Sequence, residues 1–367
     1  RVSAISLASQ HLLEQLGAWF QVTQWRACPY KRLGVWEKAY AYTEFNADDI
    51  EQKHLGHIVE NRVLQLALWQ EIETQTNIDL FCPHQLVNLS QDSSQASLTL
   101  KNTTSLKETD ITAKLVIAAD GANSQVRQMA DIGLTAWDYQ QSAMLINVKT
   151  KMPQQDITWQ KFFPTGPVAF LPLTREPLNQ YSSVKDSTAE HGGYGSLVWY
   201  HQRDEIKRLS ALSNQQLQQE VINFFPKRLG TIEVLAKGTF PLTRRHANSY
   251  QNKRILLLGD AAHTINPMAG QGVNLGFKDV KALQTVIACA ISNGECWHNV
   301  EVLSRYETMR RKDNLLMMST MDALYHSFSH PSSIVKTVRN MSFLAINKVP
   351  FINTRVKNKA LAYACGI

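Results

Sequence analysis

Apolar and polar positions change texture three times along the chain. Residues 1–26 carry apolar positions at helical spacing with a break at Gly17. The stretch "IVENRVLQLALWQEIETQT" (58–76) puts Val59, Val63, Leu66 and Trp69 near a period of about 3.6 residues, so both segments read as helices. Four short runs follow, "IDLFCP", "HQLVNLS", "ASLTLKN" and "DITAKLVIAAD", separated by polar turns, and they read as successive strands. Helix, then strands returning to a glycine-punctuated turn, predicts an α/β layer architecture.

From 138 to 248 the pattern turns strand-rich: "SAMLINVKT", "TWQKFFP", "VAFLPL", "GSLVWYH" and "GTFPLTRR", with one amphipathic helix over 206–225. This predicts a second, largely antiparallel domain. The polar, glycine-rich stretch "REPLNQYSSVKDSTAEHGGYG" (175–195) reads as a mobile loop of that sheet. After residue 250 the chain returns to strand, turn and helix, and 300–367 reads as mainly helical. The expected domains are 1–137 with 249–300, then 138–248, then a helical region over 301–367, with parts of 27–57 and 77–105 joining the middle domain. No internal repeat or low-complexity tract interrupts this order.

A chain of 367 residues is too long for one ordinary core, and 44% hydrophobic content is that of a globular protein. No apolar run reaches the roughly 18 residues that span a bilayer. The opening "RVSAISLASQ" has neither a signal-peptide pattern nor an initiator Met, so further residues are expected upstream of Arg1. Cys28, Cys82, Cys289, Cys296 and Cys365 are odd in number and scattered, with no CxxC pair, so they suggest neither a disulfide framework nor a zinc site and point to the cytoplasm. The net charge of +7 is mostly dispersed and carries no nucleic-acid motif. Residues 323–367 are the exception, with six Lys or Arg and no Asp or Glu among Phe343, Leu344, Ile346, Val349, Phe351 and Ile352. They suit an anionic membrane surface or an acidic partner; a basic helix pair packed on the body is the alternative.

The densest chemistry lies in "RILLLGDAAHTINPMAGQGVNLGF". A buried strand ending at Gly259 and Asp260 projects a carboxylate where open α/β sheets present ligand sites, and such an acceptor suits sugar or ribityl hydroxyls. Gly270 and Gly272 leave the first-turn amides of the next helix unobstructed, which favours an electron-rich oxygen there. Pro267 fixes the turn beside a flat ligand. A second motif, "KLVIAADGANSQVRQ", sets Asp120 and Gly121 in a turn before Ser124 and Arg127. By itself it is equally an Asp-Gly turn with a capped helix. His54 and His57 form an HxxH without the carboxylate or cysteine spacing of a metal site. Arg244, Arg245 and His246 form a basic knot, either a solvated edge or a contact to a charged ligand.

Taken together, "VIAADGANSQVR" and "LLLGDAAHTINPMAGQGVNLG" resemble the DG and GD motifs of the flavoprotein aromatic hydroxylases, which bind FAD and use NAD(P)H and oxygen. "RVSAIS", "HLGHIVENRVLQLALW", "CPYKRLGVWE", "AFLPL" and "FPLTRRHA" are similar to the ubiquinone-biosynthesis hydroxylases within that family, and the likeness runs over essentially the whole chain. The fold implied is α/β: a Rossmann-like FAD-binding domain interleaved with a mainly antiparallel substrate domain and a helical C-terminus. One departure stands out. The family opens with a strand, GxGxxG and a helix that cradle the FAD pyrophosphate, and the first βαβ is missing from this sequence; a molecule without that segment is expected to lose its FAD affinity.

By resemblance, Asp260 contacts the ribityl chain, Gly270, Gly272 and Asn274 sit at the pyrimidine end of the isoalloxazine, and Pro267 lies near its reactive edge. Asp120 and Arg127 serve the pyrophosphate and the nicotinamide cofactor, while Arg1 and Asn61 stand near FAD. His263 is either a catalytic base or a brace of the turn. Phe170, Pro172 and Trp199 are candidates for an apolar substrate wall or for core. The implied reaction is hydroxylation of the ring of a polyprenyl benzoquinol, demethoxyubiquinol, through a C4a-hydroperoxyflavin. A ubiquinone-biosynthesis complex and peripheral contact with the inner membrane are the implied partners. The alternatives are another ubiquinone-ring or aromatic hydroxylase, or a flavin-free component of a complex.

Overall fold

The computed structural model describes residues 1–174, 192–266, 270–329, 332, 335–341, 358–359 and 361–366. Along the chain come β1 (Val2–Ser6), α1 (Leu7–Gln15), α2 (Ala18–Trp25), β2 (Cys28–Tyr30), β3 (Arg32–Trp36), β4 (Thr43–Asn46), β5 (Gly56–Glu60) and α3 (Asn61–Glu73). Then follow β6 (His84–Gln91), β7 (Ala96–Asn102), β8 (Glu108–Ala113), β9 (Val116–Ala118), α4 (Gln125–Met129), β10 (Leu134–Thr150), β11 (Ile157–Phe163), β12 (Gly166–Leu173) and β13 (Gly193–Gln202). The remainder is α5 (Arg203–Ala211), α6 (Asn214–Phe224), β14 (Ile232–Ala247), β15 (Gln251–Asn252), β16 (Ile255–Leu257), β17 (His263–Thr264), α7 (Gly272–Ser292) and α8 (Val300–Ser329).

Two compact units result, one of residues 1–74, 140–242 and 323–367, the other of 75–139 and 243–322. The division departs from the expected one: residues 1–74 join the sheet-rich unit rather than the unit that carries the DG and GD turns. The parallel pairing of β3 with β11 joins them to that unit. β5 lies between β1 and β2.

In this first unit, β14, β10, β13, β12, β11, β3 and β4 lie side by side in that order. Strand alternation sends Met144, Ile146, Leu197 and Trp199 to one face, where they share a core with Leu209, Leu217 and Val221 of α5 and α6. Trp159 stacks on Phe170, and Trp199 on Phe224 with centroids 4.7 Å apart. In the second unit β9 and β16 pair in parallel, Leu257 opposite Ala118, and α7 with the first part of α8 covers them. β6, β7 and β8 form a separate antiparallel sheet.

Several sequence expectations give way to tertiary context. Val2–Ser6 is a strand, and α1 begins only after Ser6, whose hydroxyl accepts from the Ser9 amide. Gly56–Glu60 is buried as a central strand, so its continuous apolar run carried no period to separate it from the helix that follows. "IDLFCP" is not a strand: Ile78, Leu80 and Phe81 are exposed and have no sheet partner. "DITAKLVIAAD" divides into β8 and β9, which belong to different sheets. The single helix expected over 206–225 is two, divided by a capping box in which Ser213 Oγ accepts from the Gln216 amide and Gln216 Oε1 accepts from the Ser213 amide. Of the expected loop at 175–195, residues 175–191 lie outside the described residues, and 193–195 already belong to β13. Among the described residues no helix is long and apolar enough to cross a membrane. Much of the basic C-terminal stretch lies outside them.

The core leaves no room at Gly195. A Cβ there would stand 2.3 Å from Phe170 Cε2. Gly195→Ala is expected to cost about 1–3 kcal/mol of stability by overpacking, read from urea unfolding.

Candidate functional site

The parallel pairing of β9 with β16 makes both strands end at one edge, and the Leu258 amide extends the ladder to Ala118 O at 3.0 Å. The Asp120-Gly121 and Gly259-Asp260 turns, 138 residues apart in sequence, therefore follow from neighbouring strand ends. Arg127, only 4% exposed, fastens the two: its Nη1 donates to Ala261 O at 2.9 Å, and both terminal nitrogens reach Ala122 O. Asp120 and Asp260 are exposed at this edge. Asp120 Oδ2 also accepts from the Val126 amide at 3.1 Å.

Gly259 has φ of 58°, a conformation disfavoured with a Cβ, and its Cβ position would lie 3.8 Å from Gly276 Cα. This close approach seats α7 against the turn. The helix runs for 21 residues and opens after Gln271, which makes no side-chain cap. Among the described residues a Cβ on Gly272 or Gly121 would meet nothing within 4 Å. Positive helix-end charge, uncapped first-turn amides and exposed carboxylates suit a ligand that offers both hydroxyl donors and electron-rich oxygens. The ribityl and ring portions of FAD have that chemistry, so the residues present fit this half of the cofactor.

Behind the surface lies a buried polar network that sequence reasoning missed. Asp279, fully buried on α7, accepts from the Gly259 amide (3.0 Å), Arg310 Nε (2.7 Å), Asn314 Nδ2 (3.3 Å) and His263 Nε2 (2.6 Å). An ionised carboxylate only accepts, which puts the proton of His263 on Nε2. Asn314 also donates to Tyr250 OH, which lies 3.1 Å from His246 Nε2. Burial by itself raises the pKa of Asp279, but His263 and Arg310 outweigh it and the net shift is downward. Burial, then repulsion from Arg311, pushes His246 down to about 4. The overlooked signal was an acid at a core position of α7, in line with Leu275, Leu283 and Val286.

The structure disperses some expected residues. Asn274 is 1% exposed, turned inward at the start of α7, and Gly270 has φ of 62°. Pro267 lies outside the described residues. In the other unit, Arg1 and Asn61 come together: Val2 pairs with Glu60, the Asn61 amide donates to Arg1 O at 3.0 Å, and Ser3 Oγ donates to Asn61 Oδ1 at 2.7 Å. Phe170 and Trp199 sit in the hydrophobic core at 1% and 3% exposure, and Pro172 shares the strand face of Phe170. The basic knot is spent on internal partners: Arg244 pairs with Asp322, Arg245 donates to Ala122 O and Asn123 Oδ1, and His246 faces Tyr250.

Adjacent strand-end turns beside an uncapped, glycine-opened helix define a flavin-binding α/β fold. Residues 21–318 match the family model described as "FAD binding domain", and the chain belongs to this family of FAD-dependent monooxygenases. It is 44% identical over 367 residues, all of this chain and 87% of the relative, to the 3-demethoxyubiquinol 3-hydroxylase of Escherichia coli strain K12. It is also 31% identical to ubiquinone hydroxylase UbiL of Rhodospirillum rubrum, over 95% of this chain and 76% of that protein. The human mitochondrial ubiquinone biosynthesis monooxygenase COQ6 is 30% identical over 99% of this chain and 81% of its own. Among solved structures, p-nitrophenol 4-monooxygenase PnpA from Pseudomonas putida DLL-E4 shares the fold with a TM-score of 0.76 at 17% identity, covering 99% of this chain and 87% of that one.

Asp279→Ala leaves Arg310 and the Gly259 amide without their buried acceptor, and a loss of about 3–5 kcal/mol is expected in urea unfolding at neutral pH. Because the folded pKa of Asp279 lies below its unfolded value, its contribution is present above about pH 3.9 and fades as pH falls through the lower folded value. The gap between wild type and variant should therefore hold from pH 7 to about 5 and narrow only below about 4. His246 works over a different window: the unfolded chain takes up its proton near pH 6.5 and the folded one near 4. Wild-type stability should thus decline as pH falls through that interval, and less steeply in His246→Gln; equal slopes would refute the assignment.

Proposed function

We propose that this chain hydroxylates the ring of a polyprenyl benzoquinol in ubiquinone biosynthesis, with demethoxyubiquinol hydroxylation as the reaction. The observation that carries this reading is the 44% identity to a 3-demethoxyubiquinol 3-hydroxylase across all 367 residues, which takes in the sheet-rich unit as well as the cofactor turns. The names of the COQ6 and UbiL relatives point to the same pathway.

Bound FAD, reduced by NAD(P)H, would supply the oxygen-activating redox chemistry. The chain's own tasks are to hold the cofactor, orient the ring and exclude water. Asp260 would accept from ribityl hydroxyls, and the backbone from Gly270 to Gly272, braced by the buried Asn274, would meet the carbonyl edge of the ring system. Asp120 and the loop held by Arg127 would lie toward the phosphates. By the family resemblance, Arg1 and Asn61 would also serve the cofactor, and Pro267 its reactive edge. His263 we assign to bracing: at 2% exposure, with Nε2 committed to Asp279, it cannot take a substrate proton unless the turn opens. The polyprenyl tail reaches the protein from a membrane, and the basic C-terminal region suits peripheral contact with anionic lipid.

The test is turnover of a short-tail demethoxyubiquinol analogue by FAD-loaded protein with NADH or NADPH under isotopically labelled dioxygen. One labelled oxygen atom on the ring, with substrate-stimulated nicotinamide oxidation, is expected. Nicotinamide oxidation that yields only hydrogen peroxide with every benzoquinol tried would end this reading. Co-sedimentation with anionic but not neutral vesicles is expected of the membrane contact, and equal indifference to both would remove it.

A further inference from the structure

The sheet of the first unit has a second face. Alternation along β10 and β13 sets Leu145, Asn147, Ser196 and Val198 opposite the core residues Met144, Ile146, Leu197 and Trp199. Asn147 and Ser196 are direct partners in the ladder, so their side chains stand next to each other on that face. There they line a cavity of about 190 Å³, bordered also by Arg1, Leu145, Thr239 and Phe240.

Ser196 is fully buried, yet its Oγ has no hydrogen-bond partner. Such a group destabilises the fold unless something outside the chain supplies the bond. Asn147 likewise makes no side-chain hydrogen bond among the described residues. Around this polar pair the lining is mixed: Leu145 and Phe240 supply apolar surface, Arg1, Lys237 and Thr239 polar groups, and the Arg1 guanidinium stands 5.2 Å from the Phe240 ring centroid. Size is decisive as well. A cavity of about 150 Å³ accepts one benzene ring, so this one takes a single substituted ring and leaves a long tail outside.

We propose that Ser196 and Asn147 are the pair that recognises the oxygen substituents of the substrate ring, seated on the sheet face away from the core. The proposal rests on the benzoquinol reading and deepens it. A ring hydroxyl both donates and accepts; Ser196 Oγ matches either role, and the Asn147 amide offers one group of each kind. A pocket built to hydrogen-bond a hydroxyl rejects an analogue without it, because the protein group is then left unpaired. Phe170 and Trp199, considered above as substrate wall, belong to the opposite face and act through packing.

The experiment compares FAD-loaded wild type with Ser196→Ala and Asn147→Leu. Equilibrium affinity is measured for a tail-less methoxy-methyl-hydroquinone and for its two analogues that each lack one ring hydroxyl. Ser196→Ala is expected to weaken hydroquinone binding about tenfold while leaving the affinity for one of the analogues unchanged. With a short-tail benzoquinol the loss should fall on KM rather than kcat. Thermal stability of Ser196→Ala should be unchanged or higher, since an unpartnered buried hydroxyl has been removed, whereas a purely structural serine would show the loss in stability instead. If wild type hydroxylates benzoquinols and both variants bind and turn over as it does, the pocket assignment is overturned. If wild type discriminates the analogues through Ser196 but hydroxylates no benzoquinol, the pocket stands and the functional reading falls.

Discussion

One buried carboxylate organises the GD turn. Asp279 is wholly removed from water, and an isolated ionised acid there would be costly by several kcal/mol. Four donors offset that cost: a backbone amide, an imidazole, a guanidinium and a side-chain amide, about as many as a carboxylate has lone-pair sites. The donors come from the Gly259 turn, the start of β17, and two places one turn apart on α8. A single side chain thus sets the turn, the strand after it and two helices in one arrangement. Removing any partner leaves the others unsatisfied, which is why such a network specifies a geometry more than it adds stability.

From this follows a division of roles inside the motif itself. Arg127, His263 and Asp279 are buried among protein partners, while Asp120, which also accepts from the Val126 amide, and Asp260 lie at the surface of the same edge. Inward groups hold the turns in place, and the backbone at Gly121 and Gly272 meets no neighbouring group among the described residues. Charge in the motif does not by itself mean contact with a ligand.

That distinction also bounds what could be read from residues alone. The two turns were legible as a pair: an Asp-Gly turn alone is common, but a second strand-end acid before a glycine-opened helix narrows the reading; the strand-rich texture of 138–248 showed in its alternation. His263 was left between base and brace because its partner lies 16 residues away, on a helix face where an acid looks out of place until the histidine is seen opposite. The early chain was misread for a related reason. β1 and β5 are strands of five residues in contact with helices, and a segment of that length is too short to show a period of its own. Assigning 1–74 to a unit required pairings such as β3 with β11, whose partners are separated by more than a hundred residues.

The sheet shows the limit most plainly. Strand alternation in β10 and β13 divides residues into two sets with certainty, but both sets hold apolar side chains, and size drew attention to Phe170 and Trp199. Large rings are the residues that helices such as α5 and α6 bury most effectively, so size argues for the core side. A ring-binding face needs the opposite character: modest side chains that leave a volume, with a few polar atoms whose bonds are not already made. Ser196 meets that description because Gly195 and Phe170 pack tightly beneath the strand, holding it rigid, while nothing on the other face reaches its hydroxyl. In a sheet with one packed face, the place to look for a planar ligand is therefore the row of small and polar residues out of phase with the aromatic ones.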